Sequence, residues 1–225
     1  DPVAMEKTHQ PGHVVSQHAQ YLIPSDWDTT DIASEETTLR NDIRDLDEAS
    51  QVDQTQAFYE DTGDVYGHDI AKMILLDFII LNGDRNPGNA VLATSPDGTQ
   101  SAVVPIDHGF AFDEPFAPGD EAATFKWFMN YPLTAGWRNY VRGGLSLDDN
   151  VTETSLRDTV EGFLDAHSNM SVEAILSKFR AMPGVSDSQV EQVEASLKGS
   201  VDRLNWMRNN IDAVLRALSG SDKLI

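Results

Sequence analysis

The chain has 225 residues, enough for one good-sized core or two small ones, and its 40% hydrophobic and 24% charged residues are ordinary for a soluble globular protein. It holds no cysteine, which excludes disulfides, thiolate metal sites and cysteine nucleophiles, and its apolar runs fall short of the roughly 18–20 residues a membrane span needs. A formal net charge of −21 argues against nucleic acid, whose affinity comes largely from Lys and Arg on phosphates, and against an anionic membrane surface; most of these charges read as a solvated acidic exterior.

The chain opens on Asp1-Pro2 rather than Met and shows no secretory or transit pattern, so the expectation is a processed or trimmed product, cytoplasmic or particle-associated. Residues 1–64 read as an acidic, partly helical N-terminal segment: 15 acidic residues stand against Lys7, Arg40 and Arg44, a net −12. His9, His13 and His18 have no acidic or Cys companions at ligand spacing and read as no metal site. Residues 13–23 read as a short strand ending at Pro24. Residues 34–59 read as one helix with Leu39, Ile43 and Leu46 as its apolar stripe and Ser34-Glu35-Glu36 as a favourable N-terminal charge. Thr62-Gly63-Asp64 is expected to break that helix before a second segment, residues 65–225.

From His68 to Asn82, Ile70, Ile74, Phe78 and Leu81 recur at helical spacing and Met73 and Leu75 widen the stripe, predicting a helix with a broad buried face that Gly83 terminates. The polar loop DRNPGN follows. Residues 90–93 and 101–106 read as two short strands joined by the turn Ser95-Pro96-Asp97-Gly98, and Gly109 after Asp107 lets the backbone bend. This layout brings Asp84, Asn89 and Asp107 to one end of a hairpin. Phosphoryl transfer needs such a set: one Asp to orient or accept the proton of the nucleophile, and an Asn and a second Asp to hold metal ions on the phosphates. Mg²⁺ takes oxygen ligands and usually only one or two protein carboxylates. Asp84 and Asn89 are five positions apart, as are the Asp and Asn of the HRDxxxxN loop of protein kinases, and Asp107-His108-Gly109 stands where D-F-G follows.

GDRNPGN with IDHG resembles the catalytic and metal-binding loops of the phosphatidylinositol 3-/4-kinase-like superfamily, roughly GDRHxxN and IDFG, with HipA-like bacterial kinases as more distant cousins. The likeness covers residues 68–112. It implies Asp84 as catalytic base, Asn89 and Asp107 as Mg²⁺ ligands, Arg85 as a brace for the loop through a carboxylate, and Mg-ATP as phosphoryl donor. Two residues depart from the family pattern. Asn86 stands where the family has His, and His108 replaces the D-F-G phenylalanine.

A complete kinase also needs a small lobe with a glycine-rich loop and a lysine on the phosphates. Before Asp64 the only glycines are Gly12 and Gly63 and the only lysine is Lys7, while Lys72 lies on the helix feeding the loop. The expectation is therefore a large lobe whose small lobe is missing, degenerate, or supplied from elsewhere or by a partner chain.

After Asp107, FAFDEPFAPGDEAATF stands where an activation or substrate loop belongs, and Asp113, Glu114, Asp120 and Glu121 make it acidic. That works against a phosphoinositide headgroup and favours a neutral or basic protein acceptor. Phe125, Trp127, Phe128, Tyr131 and Trp137 read as a satellite core rather than a base-stacking platform, with Pro132 and Gly143-Gly144 punctuating the stretch. Residues 152–167 form a predicted helix on Leu156, Val160, Phe163 and Leu164. Ser171 caps another running to Met182, and the capping box Ser186–Gln189 opens the longest, unbroken to Leu218. The fold expected is mostly α with a small β-hairpin (α+β), a protein-kinase-like large lobe. The function expected is transfer from Mg-ATP to a protein or small-molecule hydroxyl; the rival is a non-catalytic kinase-like module used in assembly, such as a piece of a larger protein or of a virus particle.

Overall fold

The computed structural model describes residues 26–108, 111, 120–146, 153–168 and 171–220. The strand expected over residues 13–23, the histidines His9, His13 and His18, the bend at Gly109 and the acidic pair Asp113 and Glu114 lie outside the described residues.

The chain is built around one helix. β1 (Asp28–Asp31) leads into α1 (Ile32–Ile43), where the Asp31 carboxylate accepts the Ala33 N–H at 2.8 Å. The single helix expected over residues 34–59 is two, because Asp47 offers its carboxylate to the Ser50 N–H at 3.0 Å and starts α2 (Glu48–Ile80, 33 residues) afresh. Leu46 falls in the break and is exposed rather than on a buried stripe. The break expected at Thr62-Gly63-Asp64 is absent, and α2 runs straight through it. Gly63 is there for a close approach: a Cβ on it would lie 2.0 Å from the Tyr140 carbonyl oxygen of α4 (Pro132–Ser146). Gly143 and Gly144, expected to punctuate the chain, sit inside α4 on the other side of the same crossing.

α2 stops at Leu81, itself in the left-handed region with φ 49, two residues before the expected Gly83; the Asn82 N–H bonds back to the Asp77 carbonyl at 2.8 Å. The Ile79 carbonyl, orphaned at the helix end, accepts from Ser200 Oγ at 2.9 Å and from Arg203 Nε and Nη2 at 2.8 and 2.7 Å, both residues on α7 (Asp187–Asn209).

The expected hairpin is present as β2 (Ala90–Thr94) and β3 (Ser101–Pro105), and β1 adds a third strand that sequence reading missed. All pairings are antiparallel in the order β1-β2-β3, with Asp28 opposite Thr94 and Ala90 opposite Pro105. Asp69 on α2 accepts the Val103 N–H at 3.2 Å and ties β3 to the central helix.

Phe78 lies at the centre of the core with no exposure, its ring 5.1 Å from Phe125, 5.7 Å from Phe128 and 6.3 Å from Trp206. Phe125 and Phe128 on α3 (Glu121–Asn130) therefore belong to the main core, not to a satellite; Trp127 and Tyr131 pair at 5.1 Å nearer the surface. α5 (Glu153–Ala166) buries Leu156, Val160 and Leu164 as its spacing predicts, and Ser171 caps α6 (Val172–Arg180), which ends two residues before Met182. Both halves of the Ser186–Gln189 capping box form. The helix they open breaks at Asn210, whose Nδ2 donates to the Trp206 carbonyl at 2.8 Å, and α8 (Ile211–Ser219) follows.

The architecture is mostly α with a small antiparallel sheet, the class expected of a kinase-like large lobe. Among the described residues no helix is long and apolar enough to cross a membrane.

Candidate active site

The loop between α2 and β2 is held by short-range polar chemistry. Asn86 Oδ1 accepts the Gly88 N–H at 3.0 Å and opens a 3₁₀ turn, Pro87–Asn89. The residue that departs from the family's histidine thus has a cap to make. The Asn89 carbonyl accepts the Ile106 N–H at 2.9 Å, which extends the β2–β3 ladder one step beyond Ala90 and Pro105. Asp107 comes next, in the left-handed region with φ 51, a conformation short polar side chains tolerate best after glycine.

Asp84 is half-buried. Its carbonyl accepts from Asn89 Nδ2 at 2.7 Å, its carboxylate from Asn86 Nδ2 at 3.4 Å, and its N–H donates to Asn82 Oδ1 at 3.3 Å. The Asn89 amide thus spends its Nδ2 on the loop backbone. Asp107 and His108 are exposed at the end of the same hairpin. Desolvation first, and the Arg85 guanidinium second, hold His108 below the ordinary histidine range.

Arg85 is buried, and its partner is a residue that sequence reading missed. Nε and Nη2 grip Asp77 Oδ2 and Oδ1 at 2.8 and 2.9 Å, while Nη1 donates to the carbonyls of Asn89 and Ile106. The Arg85 carbonyl accepts Trp137 Nε1 at 2.7 Å. Arg85 thus joins a helix carboxylate to two carbonyls of the loop and hairpin. The signal for Asp77 was present: an acid on the apolar face of the helix leading into the loop must find a buried partner. Trp137 offered no such signal, since it lies on α4, 52 residues from its acceptor.

Asp84 and Asn89 are joined directly, and the Arg85 guanidinium ties Asn89 to the residue preceding Asp107. Asn89 and Asp107 offer an amide and a carboxylate oxygen, the hard donors that Mg²⁺ takes. Among the described residues no group of three or more His, Asp or Glu side chains is disposed to hold a metal ion. Mg²⁺ needs no such group, since substrate phosphates and water complete its shell. A hollow of about 560 Å³ lies between α1 and α2, lined by Leu39, Ile43, Val52, Phe58 and Tyr59, and includes none of these residues.

A family model described as phosphatidylinositol 3- and 4-kinase matches residues 47–169, more than half of the chain. Over 78 residues the chain is 33% identical to phosphatidylinositol 4-kinase gamma 4 of Arabidopsis thaliana, covering 33% of this chain and 13% of that protein. Over 58 residues it is 34% identical to phosphatidylinositol 4-kinase gamma 3 of the same plant, covering 26% and 9%. The chain thus spans only a small part of the length of these curated relatives. No solved structure matches.

Proposed function

The chain belongs to the phosphatidylinositol 3- and 4-kinase family, and we propose that it is the large lobe of an active phosphotransferase that moves the γ-phosphoryl group of Mg-ATP to a hydroxyl acceptor. Asp84 orients that hydroxyl and takes its proton as the oxygen attacks phosphorus and the bond to the departing ADP breaks. Asn89 Oδ1 and the Asp107 carboxylate would hold Mg²⁺, which would supply neutralisation of the charge on the transferring phosphates. Arg85 stays out of the chemistry and keeps Asn89 and Asp107 in register. The observation that carries the reading is the joint held by Arg85 Nη1, one donor on the carbonyls of Asn89 and Ile106, which couples the two metal-holding positions.

Mg-ATP also needs cover and a lysine. Lys72 is paired with Asp69 at 2.8 Å on α2, at the sheet rather than the loop, so the reading requires a small lobe or a partner chain to supply both. The acceptor we propose is a neutral or basic hydroxyl substrate. The relatives' names favour phosphatidylinositol as a second reading.

The test is phosphate transfer from labelled Mg-ATP by the full-length protein, with Asp84→Asn beside it. Transfer that the substitution lowers about 10²–10⁴-fold supports the proposal. No transfer by wild-type protein, with its small lobe present and its fold intact, moves the chain to the non-catalytic module.

A further inference from the structure

We propose that Asp77 is a positioning residue for all three site residues, holding Asp84 through Asn82, and Asn89 and Asp107 through Arg85; this rests on the phosphotransfer reading above. Asp77 is 1% exposed on the apolar face of α2. Its two oxygens accept three hydrogen bonds: Oδ2 from Arg85 Nε at 2.8 Å, and Oδ1 from Arg85 Nη2 at 2.9 Å and Asn82 Nδ2 at 3.1 Å.

Each bond leads to a different part of the site. Asn82, also buried, turns its Oδ1 to the Asp84 N–H at 3.3 Å, so the amide that Asp77 orients sets the backbone of the proposed base. A guanidinium gripped along one edge has no freedom to turn in its plane. Its remaining nitrogen, Nη1, is thereby aimed at the Asn89 and Ile106 carbonyls. One belongs to a proposed Mg²⁺ ligand and the other to the residue before the second. Turning the guanidinium would displace both ligands together.

A buried ion pair is a poor stabiliser, because desolvation offsets most of its attraction. What this pair supplies is direction. Outer partners that aim metal ligands typically contribute about 10–100-fold in metal affinity or activity.

The experiment uses the full-length protein and four variants: Asp77→Asn, Arg85→Lys, Asp84→Asn and Ser200→Ala. Ser200→Ala disturbs the end of α2 at Ile79 without touching the loop. Two quantities are read on folded protein: the Mg²⁺ half-saturation of phosphate transfer, and Mn²⁺ affinity in the presence of ATP by water-proton relaxation. Asp77→Asn should weaken both about 10–100-fold and lower kcat with little change in acceptor KM; Ser200→Ala should leave both at wild-type values. Arg85→Lys, which keeps the charge but cannot fork, should match Asp77→Asn, and it decides the question if Asp77→Asn fails to fold. Wild-type metal affinity in Asp77→Asn, or in Arg85→Lys, overturns the proposal, whatever either does to melting temperature. An unchanged rate in Asp84→Asn counts against the phosphotransfer reading instead; the Mn²⁺ titration still decides the role of Asp77.

Discussion

Gly63 and Gly144 face each other across the α2–α4 crossing with no room for a side chain on either. A Cβ on Gly63 would come within 2.4 Å of the Gly144 nitrogen, and one on Gly144 within 2.4 Å of the Gly63 carbonyl oxygen. The obstructing atoms are backbone, which cannot swing aside, so the helices themselves would have to part. Gly63→Ala should therefore destabilise the protein by about 1–3 kcal/mol or more, despite the better helix propensity of alanine. Gly162 in α5 has nothing within 4 Å of its Cβ position, and Gly162→Ala should stabilise by about 0.5–1 kcal/mol. Urea unfolding of the two variants checks both signs at once.

The different fates of these glycines show what could be read from the sequence. Ile70, Ile74 and Phe78 marked their helix because a buried face repeats with the helical period. The Asp84–Asn89 loop and the hairpin were legible because turn chemistry is local. Gly63 was misread as a breaker because its reason, the backbone of Tyr140, lies 77 residues away in sequence. Trp137 escaped for the same reason, its acceptor lying 52 residues away, whereas Asp77 carried a local signal as an acid on an apolar helix face. The two missed breaks, at Asp47 and Asn210, come from side chains that compete locally with the helix, and both residue types carry that tendency openly.

Phe78 offers the plainest test of the core. It has no exposure and meets Phe125, Phe128 and Trp206. Truncation leaves a cavity ringed by rigid aromatics that collapse poorly, so Phe78→Ala should cost about 3–5 kcal/mol. A loss below about 1 kcal/mol in equilibrium denaturation would mean that the site is not enclosed.

The hairpin turn should leave a mark on acid stability. Asp97 Oδ1 accepts from the Ser95 hydroxyl at 2.6 Å and from the Thr99 N–H and hydroxyl at 3.1 and 2.9 Å. The Ser95 hydroxyl first, and the Thr99 groups after it, hold the carboxyl down from 3.8 to about 2. Because the folded value lies below the unfolded one, this stabilisation is present in full above 3.8 and disappears as pH falls through about 2. The stability gap between wild type and Asp97→Ala should be flat at neutral pH and close over that acid range. Denaturation series at stepped pH measure it; a gap that widens on acidification would contradict the assignment.

The need for a small lobe predicts weak nucleotide binding by residues 1–225 alone. Lys72 is held by Asp69, whose other oxygen is bonded to β3, and so cannot also cover phosphates at the loop. Calorimetry with Mg-ATP should detect little or no heat. Micromolar affinity, lost on Lys72→Ala, would show that the ion pair opens and that this lysine serves the nucleotide after all.

The acceptor should be decided by charge. Asp113, Glu114, Asp120 and Glu121 follow Asp107 in the chain, and no Lys or Arg occurs between Phe110 and Phe125. Asp120 spends its carboxylate on the Ala123 N–H at 3.1 Å, capping α3, but keeps its charge. Unit charges 4 Å apart repel by about 1 kcal/mol even in bulk water, and several-fold more near a protein surface. A polyphosphorylated inositol headgroup would meet that repulsion at each phosphate, while a Ser or Thr in a Lys/Arg-rich peptide would gain by the same interaction. Full-length protein should therefore fail to sediment with phosphoinositide-containing vesicles at low salt, where any electrostatic attraction would be strongest. It should phosphorylate the basic peptide, and added salt should raise the KM of that peptide. Unmodified phosphatidylinositol carries a single phosphate and meets the least repulsion among these lipids, so it belongs in the same assay. Vesicle binding that survives Asp113→Ala but is lost on removing a basic residue would show that a cationic surface elsewhere recruits the lipid, and the relatives' substrate would then be the better reading.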